Sequence, residues 1–479
     1  MDRWAHRQLG AARFGLPLTW GSAIAVRMQK LSDPLQPARS ARASLSQRSG
    51  MPLLVMLVAT TSLSQFFRAS TNVIAPELIR DLSLTPEMLG FANACFFWAL
   101  LAIQVPVGLL FDRIGARYTV GMLAIFAVAG ALLHAVVTTG NGLAGARFLL
   151  GLGHGGSFIA CVFLVSRWYP RQRWTTVLSR VWAGSMLGIA AAGTPLALAA
   201  DTIGWRQSFL ILAVISALVA LLFVIVVRDQ PPGTPEIGHE PETVATALKG
   251  FMTILRLPGL PHVLALQTVA YAVLTTILGL WAGTYLHDVH GLGTIERGNV
   301  LIAMALGQIV GLLAMGPLDR LLDTRKWVAV AGATCTLIVL SVLAAFPALP
   351  TSIAIALLVL LTAVAAYGPV IVSHARTFYP ERLAGRGVTT ANMAQLLGCA
   401  LLPMLTGLIP GFFPIGPSGY ATEAYGWIFA AIAATLLCGL LGYLKARDVP
   451  PSQGTIATVS TAVAPIPDIS QPRTKGTGA

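Results

Sequence analysis

The chain contains twelve apolar runs of about 20 residues or more, and this repetition limits the folds open to it. A helix of about 20 apolar residues is long enough to cross the roughly 30 Å hydrocarbon layer of a membrane. Hydrophobic residues make up 55% of the sequence and charged residues only 11%, which does not suit a water-facing surface. The sequence therefore predicts an all-α polytopic membrane protein. The predicted spans, numbered 1 to 12, are 51–74, 88–110, 118–138, 143–166, 177–200, 207–227, 262–286, 298–318, 327–347, 351–373, 388–411 and 423–445.

The basic residues are concentrated on one side of these spans. Of the 32 Lys and Arg residues, 24 lie in the N-terminal tail or in segments on the same side, and only Arg80, Arg206 and Arg297 lie opposite. Such loops usually face the cytoplasm. Both termini and this side, called the basic side below, are therefore expected to be cytoplasmic. The net charge of +13 reflects this topology, so nucleic-acid binding is not inferred from it.

The chain divides into two halves of six spans, residues 51–228 and 257–447. The segment between them, 229–256, begins as a polar, Pro-rich linker that cannot continue a helix. The end, 448–479, is predicted to be a disordered cytoplasmic tail. For residues 1–50 a disordered cytoplasmic tail is expected, while a transit peptide or a mis-called start upstream of Met51 remain alternatives.

Sequence motifs give no sign of catalysis, and no cofactor, metal ion or catalytic residue is predicted. The five cysteines all fall within predicted spans, which implies no disulfide framework. Residues 151–156 match Gly-x-Gly-x-x-Gly, but they follow no strand and lie in an apolar helix, where Gly151 favours close packing. A membrane-embedded enzyme therefore has little support.

The loop after the second predicted span carries the most specific motif. It reads Gly108-Leu-Leu-Phe-Asp112-Arg113-Ile-Gly115-Ala-Arg117 and resembles the signature Gly-x-x-x-Asp-Arg-x-Gly-x-Arg of the major facilitator superfamily. The second half repeats it in weakened form, with Asp319 and Arg320. The resemblance implies two pseudo-symmetric six-helix halves that transport by alternating access.

The resemblance also implies roles for these residues. Gly108 would let two helices approach closely, and Asp112 would face a helix N-terminus. Arg113 and Arg117 would pair across the halves, so that the loop, with its counterpart at Asp319 and Arg320, acts as a latch for the outward-open state.

Two further motifs are only partly matched. The residues before Gly151, beginning at Arg147, resemble the fourth-helix motif of the superfamily. Gly184, Gly188 and Pro195 are expected to bend or pack the fifth helix. They resemble the antiporter motif incompletely, since Ile189 stands where that motif has Pro. This departure argues against a drug exporter.

The charges inside the predicted spans indicate the kind of substrate. Arg68, Arg147 and Arg180 lie within spans, whereas none of the 19 acidic residues lies deep in one. A buried charge costs several kcal/mol and seldom persists without a function. The membrane-spanning part of the protein therefore carries a net positive charge, and an anion is expected to bind there. Arg180 is expected to snorkel, and Arg147 to pack helices or relay protons.

Arg68 is the strongest candidate to contact substrate. The sequence around it resembles the first helix of the anion:cation symporter and sugar-phosphate permease branch, where a matching Arg grips the anionic group of the substrate. A helix-packing or gating role remains the alternative. The chain departs from that branch where many members carry acids, because it has Phe67 and His154 at those places. Either His154 carries the coupled proton, or the substrate brings its own, or transport is uncoupled.

Polar residues in the spans could complete the site, although each could instead bridge helices. Gln267 and Tyr271 are favoured because they share a helix face with Thr275. The substrate-binding set is thus Arg68, Gln267, Tyr271, Tyr367 and Asn392. The other polar residues considered are Gln65, Asn72, Asn93, Gln104, Gln308 and Gln395.

The sequence therefore predicts a secondary transporter of a small organic anion in the bacterial inner membrane, with lipid and small-molecule partners and optional proton coupling. The alternatives are a proton-coupled exporter of hydrophobic drugs or metabolites, a non-transporting sensor of the same fold, and a polytopic enzyme.

Overall fold

The computed structural model describes residues 36–170, 173–231, 252–379, 384–416 and 419–453. Most of the predicted N-terminal tail, the middle of the predicted linker and most of the C-terminal tail lie outside these ranges. The chain divides into two compact units, Met1–Leu54 and Val55–Ala479. The second unit includes residues 55–228 and 257–447 of the two predicted halves.

The first half consists of helices interrupted at glycines and short loops. The first helix begins at Gln36, inside the segment predicted as a tail. The α-helices are Gln36–Leu82, Pro86–Val136, Gly140–His154, Ser157–Trp168, Trp174–Ala191, Thr194–Thr202 and Trp205–Val226.

The second half follows the same plan, with one π-helical turn, Ile277–Trp281. Its α-helices are Leu260–Thr276, Ala282–Asp288, Thr294–Leu321, Lys326–Ala345, Thr351–Val364, Gly368–Ala375, Ala384–Gly407 and Thr422–Leu444. Short 3-10 turns cover Arg376–Phe378, Pro410–Phe412 and Pro451–Gln453. A small antiparallel hairpin pairs β1 (Ile415–Gly416) with β2 (Gly419–Tyr420).

Twelve membrane-crossing segments emerge from these helices in the described part of the chain. Eleven helical segments are long and apolar enough to cross a membrane, and one of them, Pro86–Val136, is 51 residues long. It is broken at Gly115, where φ is 80°, because that left-handed conformation is accessible to glycine. Counting 86–114 and 116–136 separately gives spans 1 to 12. The others are Gly50–Leu82, Gly140–Trp168, Thr176–Thr202, Trp205–Val226, Leu260–Asp288, Thr294–Leu321, Lys326–Ala345, Thr351–Phe378, Arg386–Phe412 and Thr422–Leu444.

The sequence placed the span boundaries within a few residues, except at the end of span 1. That span was predicted to end at residue 74, before Pro76, but the helix continues to Leu82. Proline removes one backbone hydrogen bond, the one to the carbonyl four residues earlier. Here that carbonyl belongs to Asn72, which lies against Gly283 of span 7, so close that an added Cβ on the glycine would collide with it.

A repeated pair of acidic residues anchors the ends of the two halves. The Asp229 carboxylate accepts a hydrogen bond from the backbone N–H of Arg117, at 3.0 Å. Asp448 accepts one from Lys326 N–H, at 3.1 Å. Each carboxylate lies just after the last span of its half and caps the N-terminus of the third span of that half, where the helix dipole favours an anion.

Candidate substrate-binding site

A cavity of about 330 Å³ of empty space, part of it open to solvent, lies between the two halves. Spans 1 and 5 line it from the first half, and spans 7 and 8 from the second. Its lining residues are Gln65, Arg68, Ala69, Ile189, Tyr271, Leu274, Thr275, Leu278, Gly279 and Gln308.

Arg68 is the cationic residue of this cavity. It is half-buried, its Nε is buried without a hydrogen-bond partner, and its guanidinium lies 5.8 Å from the centre of the Phe97 ring. No acidic side chain lines the cavity. The positive charge is therefore uncompensated, and an anion entering the cavity would supply the missing partner.

Arg147, by contrast, is bound within the first half. It is 1% exposed, and its two terminal nitrogens donate to the Phe67 carbonyl at 2.5 Å and to Asn93 Oδ1 at 2.8 Å. Its guanidinium also lies 4.9 Å from the Phe96 ring centre. Arg147 thus joins spans 1, 2 and 4, whereas Arg180 is exposed.

The favoured face of span 7 only partly reaches the cavity. Tyr271 and Thr275 line it, but the Thr275 hydroxyl donates to the Tyr271 carbonyl at 3.1 Å. Gln267 lies one turn before Tyr271 and does not line the cavity. Instead its Nε2 donates to Gln395 Oε1 at 2.9 Å, which joins spans 7 and 11.

The other two predicted contacts also lie away from the cavity lining. Tyr367 is fully buried against Gly332 of span 9, where an added Cβ would touch its ring. Asn392 is half-buried on span 11. Gln65 and Gln308, which the sequence ranked lower, lie on the cavity wall instead.

His154 is buried next to the cavity without lining it. Its ring packs on Phe67 with 5.2 Å between ring centres, and its Nε2 has no hydrogen-bond partner. Since Phe67 directly precedes Arg68, the imidazole is close to the cationic residue, and its role in proton coupling stays a prediction.

The signature loop is open in this conformation. Asp112 and Arg113 are exposed, and an added Cβ on Gly108 would have nothing within 4 Å. Arg117 bonds within its own half, where its Nε donates to the Val224 carbonyl at 2.5 Å. The carboxylate at the span 3 N-terminus is that of Asp229.

The repeated loop in the second half is similar. Arg320 and Gly316 are exposed, and Gly316 also has open space around it. Asp319 is buried and lies 4.0 Å from Arg325 of the same half. The latch therefore remains a prediction for the opposite conformation.

The side opposite the basic loops is closed by contacts between the halves. Arg297 of span 8 is 2% exposed and donates to Glu77 of span 1 at 2.7 Å, and Thr294 donates to the same carboxylate at 2.9 Å. Thr194 donates to Asn299 at 2.6 Å. These hydrogen bonds, with those of Asn72 to span 7 and of Trp98 to Met404, join the halves at the cavity level or on this opposite side.

Three of the predicted packing glycines, Gly151, Gly184 and Gly188, lie at close helix contacts, whereas Gly108 does not. An added Cβ on Gly151 would collide with the Phe96 carbonyl, and one on Gly188 with the Ser62 carbonyl. Gly184 packs against the Val58 side chain. Pro195 lies in the first turn of the second helix of span 5, Thr194–Thr202, after a break at Gly193.

Sequence reasoning missed several residues that shape the site. The sequence does contain a signal for the capping residues Asp229 and Asp448, because each lies in the same short motif. The two copies read Arg228-Asp229-Gln-Pro-Pro and Arg447-Asp448-Val-Pro-Pro. The π-helical turn at Ile277–Trp281 has no comparable signal. Within the described ranges, no group of three His, Cys, Asp or Glu side chains could hold a metal ion.

Twelve spans in two halves around a cavity that contains Arg68 are the architecture of a polytopic membrane transporter. The family model of the Major Facilitator Superfamily matches residues 57–403, and the chain belongs to that superfamily. It is 23% identical to a D-galactonate transporter of Escherichia coli O6:H1 (strain CFT073), a match that covers 82% of this chain and 94% of that protein. It is 24% identical to a hexuronate transporter of Bacillus subtilis (strain 168), over 56% of this chain and 63% of that one.

The fold is also that of solved transporters. The crystal structure of a bacterial homologue of the human lysosomal transporter Spinster, inward-facing and unoccupied, superimposes with a TM-score of 0.64 at 17% identity. The match covers 82% of this chain and 95% of that one. The protein is therefore a transporter rather than an enzyme, with the all-α fold that the sequence predicted.

Proposed function

We propose that this protein is a secondary active transporter of sugar acids, which it moves by alternating access across the inner membrane of a bacterium. The observation that carries the proposal is Arg68, a cation without an acidic partner in the cavity between the halves. The transporters of D-galactonate and hexuronate named above support the same substrate class, since both compounds are polyhydroxylated carboxylates.

The remaining cavity residues suit such a substrate. The Arg68 guanidinium can donate a pair of parallel hydrogen bonds to a carboxylate. Gln65, Tyr271 and Gln308 offer both donors and acceptors, which hydroxyl groups require. Because Arg68 belongs to one half and Tyr271 and Gln308 to the other, a bound sugar acid would contact both halves.

The basic side is assigned to the cytoplasm, as the distribution of Lys and Arg favours. The conformation described here is then inward-open, with the signature loop unlatched and the outer side closed by Glu77 and Arg297. Proton coupling, where present, uses His154 or a proton carried by the substrate.

A binding screen on purified protein tests the substrate class. Galactonate, glucuronate and tartrate are each compared with an uncharged alditol of similar size, by ligand-induced thermal shift. Stabilisation by the acids and none by the alditol is expected. Stabilisation only by cationic or hydrophobic drugs would overturn the proposal and favour an exporter.

A further inference from the structure

The side chain of Asn72 bridges the two halves directly outward of the cavity. Asn72 is 2% exposed and lies one helical turn after Arg68 on span 1. Its Nδ2 donates to the Leu278 carbonyl of span 7 at 2.9 Å, and its Oδ1 accepts a hydrogen bond from the Gly283 backbone N–H. One carboxamide therefore holds two backbone groups of the opposite half.

These two backbone groups are five residues apart, and this spacing explains why they are available. Span 7 contains the π-helical turn Ile277–Trp281, in which N–H groups bond to carbonyls five residues earlier, as Ala282 does to Ile277. The next pair in that pattern would be Gly283 N–H and the Leu278 carbonyl. The Asn72 carboxamide stands between them, donating to one and accepting from the other.

The backbones of spans 1 and 7 approach closely enough to hold this arrangement. An added Cβ on Gly279 would lie 3.0 Å from the Arg68 carbonyl, and one on Gly283 would collide with the Asn72 carbonyl. Pro76 leaves that carbonyl without its usual helical partner. Leu278 and Gly279 also line the cavity, so the bridged turn forms the outer wall of the substrate site.

The order of groups along span 1 runs outward from the cavity. Arg68 lines the cavity. One turn further out, Asn72 donates a hydrogen bond to span 7. Further out again, Glu77 forms an ion pair with Arg297. When the outer side opens, both Asn72 hydrogen bonds must break. The Leu278 carbonyl and Gly283 N–H can then bond to each other in the π pattern, so neither buried group has to remain unsatisfied.

We propose that Asn72 is a positioning residue for transport, whose carboxamide closes the outer side of the pathway over the substrate cavity by inserting into the π-helical turn of span 7. The proposal rests on alternating access within the proposed function, but not on the substrate class. Loss of the bridge should favour the outward-open conformation.

The test measures which side of the protein is accessible, without any substrate. Leu301 is 1% exposed and shares a helix face with Arg297 and the cavity residue Gln308. The reporter Leu301→Cys is labelled with a membrane-impermeant thiol reagent from the outer side. A second reporter, Gly316→Cys, is labelled from the basic side, where it now faces open space. Labelling of the five native cysteines, measured without the reporters, is subtracted.

The variants are Asn72→Ala, which removes both hydrogen bonds, and Asn72→Asp, which keeps the shape but loses the donor. Ser70→Ala is the matched control, because the buried Ser70 hydroxyl donates to the Phe67 carbonyl of its own helix. Gly283→Ala disrupts the bridge from the span 7 side if the Asn72 variants fold poorly.

Both Asn72 variants should raise outer labelling of Leu301→Cys by about threefold or more, the order expected for buried membrane hydrogen bonds, and lower basic-side labelling of Gly316→Cys. Ser70→Ala should change neither. Unchanged outer labelling in folded Asn72 and Gly283 variants would overturn the proposal. Equal increases on both sides would show general loosening and would also contradict it. Failure of sugar acids to bind would leave this result intact and refute only the substrate class.

Discussion

The Asp448 carboxylate accepts a hydrogen bond from the backbone N–H of Lys326, so the residue after span 12 caps the start of span 9. In return, the Nζ of Lys326 donates a hydrogen bond to the Leu444 carbonyl at the end of span 12, at 2.8 Å. Asp229 and Arg117 repeat both contacts in the first half. A reciprocal pair of helix-end contacts thus joins the third and sixth spans of each half on the basic side.

Asp448→Ala should lower the free energy of unfolding by about 1 kcal/mol, the usual cost of losing an N-cap. Asp448→Asn should cost much less, because Asn caps helices nearly as well. The midpoint of chemical unfolding in detergent measures both. Equal losses for Ala and Asn would show that the charge of Asp448, rather than its capping geometry, is what matters.

Asp112→Ala should abolish most transport while membrane insertion and stability stay close to wild type. Asp112 is exposed and has no bonded partner among the described residues, so its loss should spare this conformation and cost only the latched one. Flux into proteoliposomes and thermal unfolding are measured together. Flux at the wild-type level would remove the latch role assigned to this loop.

His154→Gln should lose accumulation of substrate against a gradient but retain counterflow, which needs no net proton movement. His134→Gln is a matched control, because His134 is also buried in the first half but stacks on Phe209, with 3.8 Å between ring centres, rather than on Phe67. Unchanged accumulation in His154→Gln would exclude it as the proton carrier. Equal loss of both activities would indicate a packing role.

The outer end of the second half should weaken as pH falls. Burial lowers the pKa of His290 from 6.5, so the unfolded chain binds its proton at a higher pH than the folded protein does. The stability from the neutral ring is complete above about pH 6.5 and declines as pH drops below that value. The stability difference between wild type and His290→Asn should therefore shrink from pH 8 to pH 5. A constant difference would contradict this.

The sequence predicted the twelve spans because hydrocarbon thickness sets helix length and leaves a strong apolar signal. It also singled out Arg68, which lies in the cavity lining, because an intramembrane charge is costly and easily counted. It could not predict that Gln267 turns to Gln395 while Gln308 reaches the cavity. A shared helix face fixes direction but not how far a cavity extends along the helix, which depends on the packing of the other half.

The outer closure escaped prediction for a related reason. Glu77 and Arg297 lie near helix ends, where charges are common and carry little information. Their pairing depends on how the two halves meet. The bridge at Asn72 depends on a π-helical turn, which arises from packing and not from a residue pattern.

The central claim is that Arg68 binds the carboxylate of the substrate, and calorimetric titration of Arg68 variants tests it most directly. The titrant is the acid that stabilises the wild-type protein most in the screen, and circular dichroism confirms folding. Arg68→Lys keeps the charge but loses the planar fork, so binding should weaken by about 1 to 3 kcal/mol. Arg68→Ala should nearly abolish binding, while Arg180→Ala, at an exposed arginine, should not. Wild-type affinity in folded Arg68→Ala would contradict the account.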